Sequence, residues 1–333
     1  MRDWSSWAET HMKGVENLLM PSFTPDMERL DEAGIRWDVR QSEKHGFFGT
    51  LCTCESGLAL EEMKRFLEIA TDEAGEELSV GTTAMLDSFA KNRELIEHAA
   101  AVGCDTVLLG YPPNWVPESV DAVYDRTRKL CETADIGVVL HLNDKYNFEH
   151  LHPSGYPVEV LDRLADIENA VALEVSDPNM MGPAHRICGD RLLITNPIEG
   201  LLPNHVRAYG MQWLGAGPYE VYQSPEHPLL IEYFEALREG NWERAMETYN
   251  QLTPIRETFM HQMRAPLQVG TYHWPQQKFY QWLVGGNGGY TRQPVMELSR
   301  EDREMIRNAM RQVGLDPREN DDEFFAGRVN FET

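Results

Sequence analysis

The sequence predicts an α/β fold, a (β/α)8 TIM barrel with a C-terminal helical extension. Three observations lead there. Eight short apolar, β-rich runs recur at spacings of about 25–30 residues. Segments with helical periodicity lie between them. Past about residue 225 such runs stop and amphipathic helical patterns take over. A doubly wound sheet is the competing architecture, but no G-x-G-x-x-G follows the first run, and eight regular repeats exceed what such a sheet usually shows.

The runs are VENLLMPSF (15–23), FFGTLCT (47–53), ELSVGTT (77–83), TVLLGYP (106–112), GVVLHLN (137–143), AVALEVS (170–176), RLLITNP (191–197) and WLGAGPYE (213–220). LALEEMKRFLEIATDEAG after the second run and AKNRELIEHAAAVG after the third have helical spacing. In the latter, Leu95, Ile96, Ala99, Ala100 and Val102 share one face, and Gly103 falls where a C-cap is expected. LLIEYFEALREGNWERAMETYNQLTPIRETFMHQM and SREDREMIRNAMRQVG supply the C-terminal helices. The expected organisation is an N-terminal extension over 1–13, a barrel over 14–224 and a helical region over 225–333.

Composition excludes several classes. A chain of 333 residues that is 42% hydrophobic can bury one large core. Its apolar runs are too short to span a bilayer, and the N-terminus lacks an apolar h-region. A cytoplasmic protein with no membrane partner is expected. A formal net charge of -24 with no basic cluster argues against nucleic acid. Five cysteines, an odd number, argue against a disulfide framework. Cys52 and Cys54 stand one residue apart, which is not a C-x-x-C site.

Barrels place their chemistry at the C-terminal ends of their strands. There the sequence puts Cys52, Thr53 and Cys54, then Thr82 and Thr83, then Tyr111, then His141 and Asn143. Glu174 and Ser176, Asn196 and Glu199, and Tyr219 and Glu220 follow. Glu174 stands out because an acid among apolar strand residues costs several kcal/mol unless it is paired, hydrogen-bonded or neutralised.

The order CESGLALEE, VGTTAMLDSFAKNRELIEHAAAVGCDTVLLGYPPNWVPES, GVVLHLN, AVALEVSDPN and a helical tail resembles the dihydrodipicolinate synthase and N-acetylneuraminate lyase superfamily. Within it the pattern is most similar to the aromatic hydratase-aldolases of the trans-o-hydroxybenzylidenepyruvate type. The resemblance covers roughly residues 14–315, with GYPPNWVP and FYQWLVGGNGGYTRQPV as its specific motifs. It implies a TIM barrel with a C-terminal helical domain, usually tetrameric, acting on a 2-keto acid. It also implies a Schiff-base lysine on the sixth strand and a proton-relay tyrosine on the fifth. By register the lysine falls on Glu174 and the tyrosine on His141. The family's carboxylate-binding Gly-Thr-Thr-Gly-Glu reads Leu51-Cys52-Thr53-Cys54-Glu55.

A carboxylate cannot form an imine, so the expectation becomes a lyase or hydratase that works by acid-base chemistry. Glu174 would take a proton or activate water and His141 would donate one, with Tyr111 as a third catalytic candidate. Cys52, Thr53, Thr83, Trp115 and Asn143 are candidate substrate contacts, as are Lys145, Ser176, Asn196, Glu199 and Tyr219. Tyr111, Trp115, Tyr146, Phe148, Tyr219 and Tyr222 suggest a pocket for a small aromatic or apolar carbonyl compound. The plain alternatives are a Glu174 pinned by Arg186 or Arg191, a satisfied core His141 and a solvated Lys145. A metal-assisted lyase drawing on His141, His150, His152, Glu174 and Glu199 is conceivable, but no ligand spacing supports it, so no metal or cofactor is expected. GGNGGY (285–290) lacks the lysine of a phosphate loop and reads as a flexible turn. A non-catalytic binding or assembly barrel stays open. The expected partners are a small-molecule substrate and further copies of the chain, in a dimer or tetramer.

Overall fold

Each of the eight apolar runs forms a strand, and burial on both faces explains their near-continuous hydrophobicity. The computed structural model describes residues 2–268, 272, 274–292 and 298–331. In chain order the barrel runs through α1 (Trp4–His11), β1 (Gly14–Leu19), α2 (Glu32–Lys44), β2 (Gly49–Cys52), α3 (Leu60–Glu73), β3 (Ser79–Ala84), α4 (Phe89–Val102) and β4 (Thr106–Leu109). It continues through α5 (Val120–Cys131), β5 (Gly137–Leu142), α6 (Val160–Leu164), β6 (Ala170–Val175), α7 (Met181–Cys188), β7 (Leu193–Thr195), α8 (Leu202–Tyr209) and β8 (Trp213–Gly217). The helices α9 (Leu229–Arg238), α10 (Trp242–Gln251), α11 (Thr253–Gln268), α12 (Trp274–Leu283) and α13 (Arg300–Gln312) follow.

All the strands are parallel, and β8 returns to pair with β1, as the (β/α)8 pattern requires. Where β7 meets β8, the Thr195 hydroxyl does the work of a ladder. It donates to the Trp213 carbonyl at 2.7 Å and accepts from the Gly215 N–H at 3.1 Å.

Local signals end the helices as the residues suggest. Gly103 caps α4 with a φ of 95°, a conformation open to glycine at little cost. Ser88 accepts from the Lys91 N–H at the start of α4. On α4, Leu95, Ile96 and Ala99 are fully buried, while Ala100 and Val102 sit at the edge of the buried face.

Residues 4–11 form a helix, α1, that lies across the N-terminal end of the barrel. Trp4, Ala8 and Met12 close it against Leu51, Leu108, Val139, Ala172 and Trp213. GGNGGY forms a packed turn. Asn287 is fully buried, its N–H donates to Asp38 Oδ1 at 2.6 Å, and Gly285, Gly288 and Gly289 supply positive φ. Nearby, α12 is fastened behind β1. Gln281 Nε2 donates to the Leu18 carbonyl at 2.8 Å, and Lys278 Nζ donates to Ser22 Oγ at 2.6 Å.

Candidate active site

The parity of adjacent strands brings the site together. His141 and Glu174 are register partners on β5 and β6, and Thr195 is the partner of Glu174 on β7. Residues in register share a face, so the imidazole and the carboxyl enter the same space at the barrel mouth. Their closest approach, Nε2 to Oε1, is 3.7 Å. Gly215 on β8 makes room for the carboxyl, since a Cβ there would stand 2.5 Å from Glu174 Oε2. Gly110 does the same for Tyr146, whose hydroxyl would lie 2.8 Å from an added Cβ.

The hydrogen bonds around His141 settle its tautomer. Asn143 Oδ1 accepts from the Lys145 N–H at 2.8 Å, which turns its amide nitrogen toward His141 Nε2 at 3.1 Å. An amide nitrogen only donates, so Nε2 carries the lone pair and also accepts from Ser176 Oγ at 3.0 Å. Nδ1 then holds the proton and donates it to the Tyr146 hydroxyl oxygen at 2.9 Å. The unprotonated nitrogen is the one that faces Glu174.

Burial keeps both groups neutral. It pushes the Glu174 carboxyl up to about 8, with a smaller contribution from the like charge of Glu16. Burial also lowers His141 to about 4. Glu16, inside the barrel on β1, is itself pushed up to about 7 by burial, while a 3.3 Å hydrogen bond from Trp213 Nε1 opposes the rise. The site at neutral pH is therefore a protonated carboxyl facing a basic imidazole nitrogen, the reverse of the protonation expected from the residues alone. The sequence shows an acid and a histidine but not how far each is removed from water.

A cavity of about 460 Å³ opens over this pair, with Thr83, Asn143, Lys145, Ser176, Glu199 and Tyr219 among its lining residues. A side lobe of about 250 Å³ continues between Tyr111, Trp115, Tyr146 and Phe148. Lys145 is half exposed and 3.3 Å from Asp144 Oδ2. Glu199 is fully buried in a two-point ion pair with Arg256, at 2.6 Å and 2.9 Å. Tyr219 lies against Gly217 and shares its hydroxyl between the carbonyls of Gly215 and Pro197, at 2.6 Å and 2.8 Å.

The remaining candidates stand apart. Tyr111 gives the lobe its ring, but its hydroxyl meets Thr127 Oγ1 at 2.7 Å and Tyr156 at 3.3 Å instead of His141. Cys52 points away from the barrel axis into the packing between strands and helices. Thr53 bonds the Leu19 carbonyl at 3.4 Å, and Asn196 bonds the Val175 carbonyl at 2.6 Å, so both are turned away from the cavity. Arg191 pairs on the surface with Asp162 and Asp166 at 2.7 Å and 2.8 Å, far in the fold from the role of pinning Glu174. His150 bonds across to the Pro117 carbonyl in the loop after β4 and His152 to Ser154 Oγ in its own loop, each at 2.7 Å. Among the described residues no group of three or more His, Cys, Asp or Glu could hold a metal ion.

Sequence reasoning missed Glu16 and Arg256, and placed Tyr146 in the aromatic wall of a pocket without its hydrogen bond to His141. Glu16 could have been found as a second acid inside a predicted strand, VENLLMPSF. Arg256 carries no such signal, because only the packing of α11 over the mouth brings it to Glu199.

Comparison with known proteins agrees with this architecture. The chain is 24% identical over 315 residues to the 4-hydroxy-tetrahydrodipicolinate synthase of Methanopyrus kandleri, covering 92% of this chain and 98% of that one. It is also 24% identical over 293 residues to the enzyme of that name from Afipia carboxidovorans, covering 86% and 92%. Among solved structures, dihydrodipicolinate synthase from Aquifex aeolicus superposes with a TM-score of 0.74 at 20% identity, over 92% of this chain and 100% of that one. N-acetylneuraminate lyase from Fusobacterium nucleatum gives 0.72 at 17% identity, over 91% and 99%. Residues 13–313 match the dihydrodipicolinate synthetase family, and the chain belongs to it.

Proposed function

We propose that the protein is a lyase of the hydratase-aldolase kind that acts on a small aromatic or apolar carbonyl compound without forming a Schiff base. The observation that carries this reading is the Glu174 carboxyl 3.7 Å from His141 Nε2 at the mouth of the barrel. By the family register Glu174 stands where a Schiff-base lysine is expected and His141 where a relay tyrosine is expected. Membership of a family whose relatives include N-acetylneuraminate lyase supports carbon–carbon bond chemistry at this end of the barrel.

In a retro-aldol cleavage, His141 Nε2 takes the proton of the substrate's β-hydroxyl. The bond between the α and β carbons breaks, a new carbonyl forms at the β carbon, and the electron pair moves to the original carbonyl. Its oxygen receives the Glu174 proton and becomes an enol. The enol O–H then returns its proton to Glu174, while His141 delivers the proton it holds to the α carbon. Both residues finish as they began, and each such transfer contributes about 10²- to 10⁴-fold.

Borohydride reduction in the presence of pyruvate or an aryl-substituted 2-keto acid tests the covalent alternative. The protein mass should stay unchanged. An adduct at Lys145 would overturn the reading and move the nucleophile to the loop after β5.

A further inference from the structure

The donors that a substrate carboxylate would need at the ends of β2 and β3 are already engaged by the protein itself. The Cys54 N–H donates to Thr83 Oγ1 at 2.8 Å, and Thr83 Oγ1 donates to Glu55 Oε2 at 2.7 Å. Thr53 Oγ1 is turned to the Leu19 carbonyl. What this edge offers a ligand is an acceptor, the Glu55 carboxylate. Glu55 lines both the main cavity and the side lobe, so it stands at their junction, as does His141. Among the described residues it forms no ion pair with a cation.

Aromatic rings surround that junction. Tyr111, Trp115, Tyr146, Phe148, Tyr272 and Trp274 line the side lobe. Ring faces carry partial negative charge and attract cations, most strongly when water is excluded. The lobe lining includes one cation, Lys145, which is half exposed and paired with Asp144 Oδ2 at 3.3 Å, so that its charge is offset beside the Glu55 carboxylate. The whole chain, at a net charge of -24, draws cations and repels anions at long range.

We infer that the side lobe receives an ammonium group, so that the substrate is an aromatic or apolar carbonyl compound that also bears an amine. The inference rests on the proposed seating of the reacting carbonyl at Glu174 and His141. With the carbonyl there, the cationic end of a small molecule lies against Glu55 with the rings around it.

Three probes of similar size separate the possibilities at neutral pH: benzylamine, benzyl alcohol and benzoate, titrated against the intact protein with calorimetry and tryptophan fluorescence. Benzylammonium should bind at least about tenfold more tightly than benzoate, the scale of one desolvated cation–π or charge contact. Glu55→Gln, which keeps the acceptor for Thr83, should abolish most of that preference, while Lys145→Met, which removes a cation from the lobe wall, should not weaken it. Equal or tighter binding of benzoate, a preference that survives Glu55→Gln, or no binding of any probe would each overturn the inference. Failure of the acid-base reading would show separately, as normal turnover in Glu174→Gln with the binding preference intact.

Discussion

At the scale of the residue, the chemistry rests on which of two neighbours holds the proton. Glu174 is an acid below about 8 and His141 a base above about 4, so activity should form a plateau between those limits. Glu174→Gln keeps the shape but removes the proton, and should lower kcat by about 10²-fold and erase the alkaline limb. His141→Phe should cost about as much, and the double variant should be barely worse than the worse single one, because the pair acts as a unit. A steady-state pH profile of each variant checks this. Normal turnover in Glu174→Gln would make the carboxyl a structural group.

At the scale of the element, the two ends of the barrel do separate work. The C-terminal end holds the cavity, while α1 seals the other. Trp4 lies against Gly137 at the start of β5, where an added Cβ would meet its ring at 3.2 Å, and its Nε1 donates to Asp135 Oδ1 at 2.6 Å. Trp4→Ala should destabilise the fold by about 3–5 kcal/mol, the usual cost of emptying a buried tryptophan site. Denaturant melts would show the loss. Benzylamine binding, measured where the variant remains folded, should not change, since the altered end faces away from the cavity. The seam between β7 and β8 is the element-scale device closest to the chemistry, because Thr195 both bridges the strands and flanks Glu174.

At the scale of the whole molecule, buried carboxyls couple stability to pH. Burial raises Glu174 to about 8, Glu16 and Glu220 to about 7, and Asp38 to about 6. Each raised carboxyl keeps its proton in the folded chain after the unfolded chain has released it. Its contribution is therefore complete below the unfolded value, about 4.5 for the glutamates and 3.8 for Asp38, and is lost as pH rises through the folded value. Buried His45 and His141, lowered to about 3 and about 4, oppose this loss below about pH 6.5, where the unfolded chain protonates them, so thermal stability should fall between about pH 6.5 and pH 8, by on the order of a few kcal/mol. Glu174→Gln should fall less steeply, and calorimetry across that range would show it; an equal slope would mean that Glu174 titrates normally. Assembly is the other property at this scale. We propose a dimer or tetramer, to be found by light scattering at micromolar protein, and a clean monomer would count against it. Among the described residues no helix is long and apolar enough to cross a membrane.

The barrel was legible in the sequence because parallel strands buried on both faces must read as short apolar runs, and helices packed outside them must be amphipathic. Those local patterns repeat, so GVVLHLN and AVALEVS could be placed as neighbouring strands, and His141 and Glu174 at their ends, before any contact was known. The sequence also marked the expected cap at Gly103. What only the tertiary structure decided depends on groups far apart in the chain. The depth of burial that protonates Glu174 and the Gly215 opening that admits the carboxyl both arise when eight strands close on one axis. The ion pair of Glu199 with Arg256 and the plug made by Trp4 arise in the same way. Protonation and access are properties of an enclosed volume, and no local stretch of residues encodes how much water the rest of the chain will exclude.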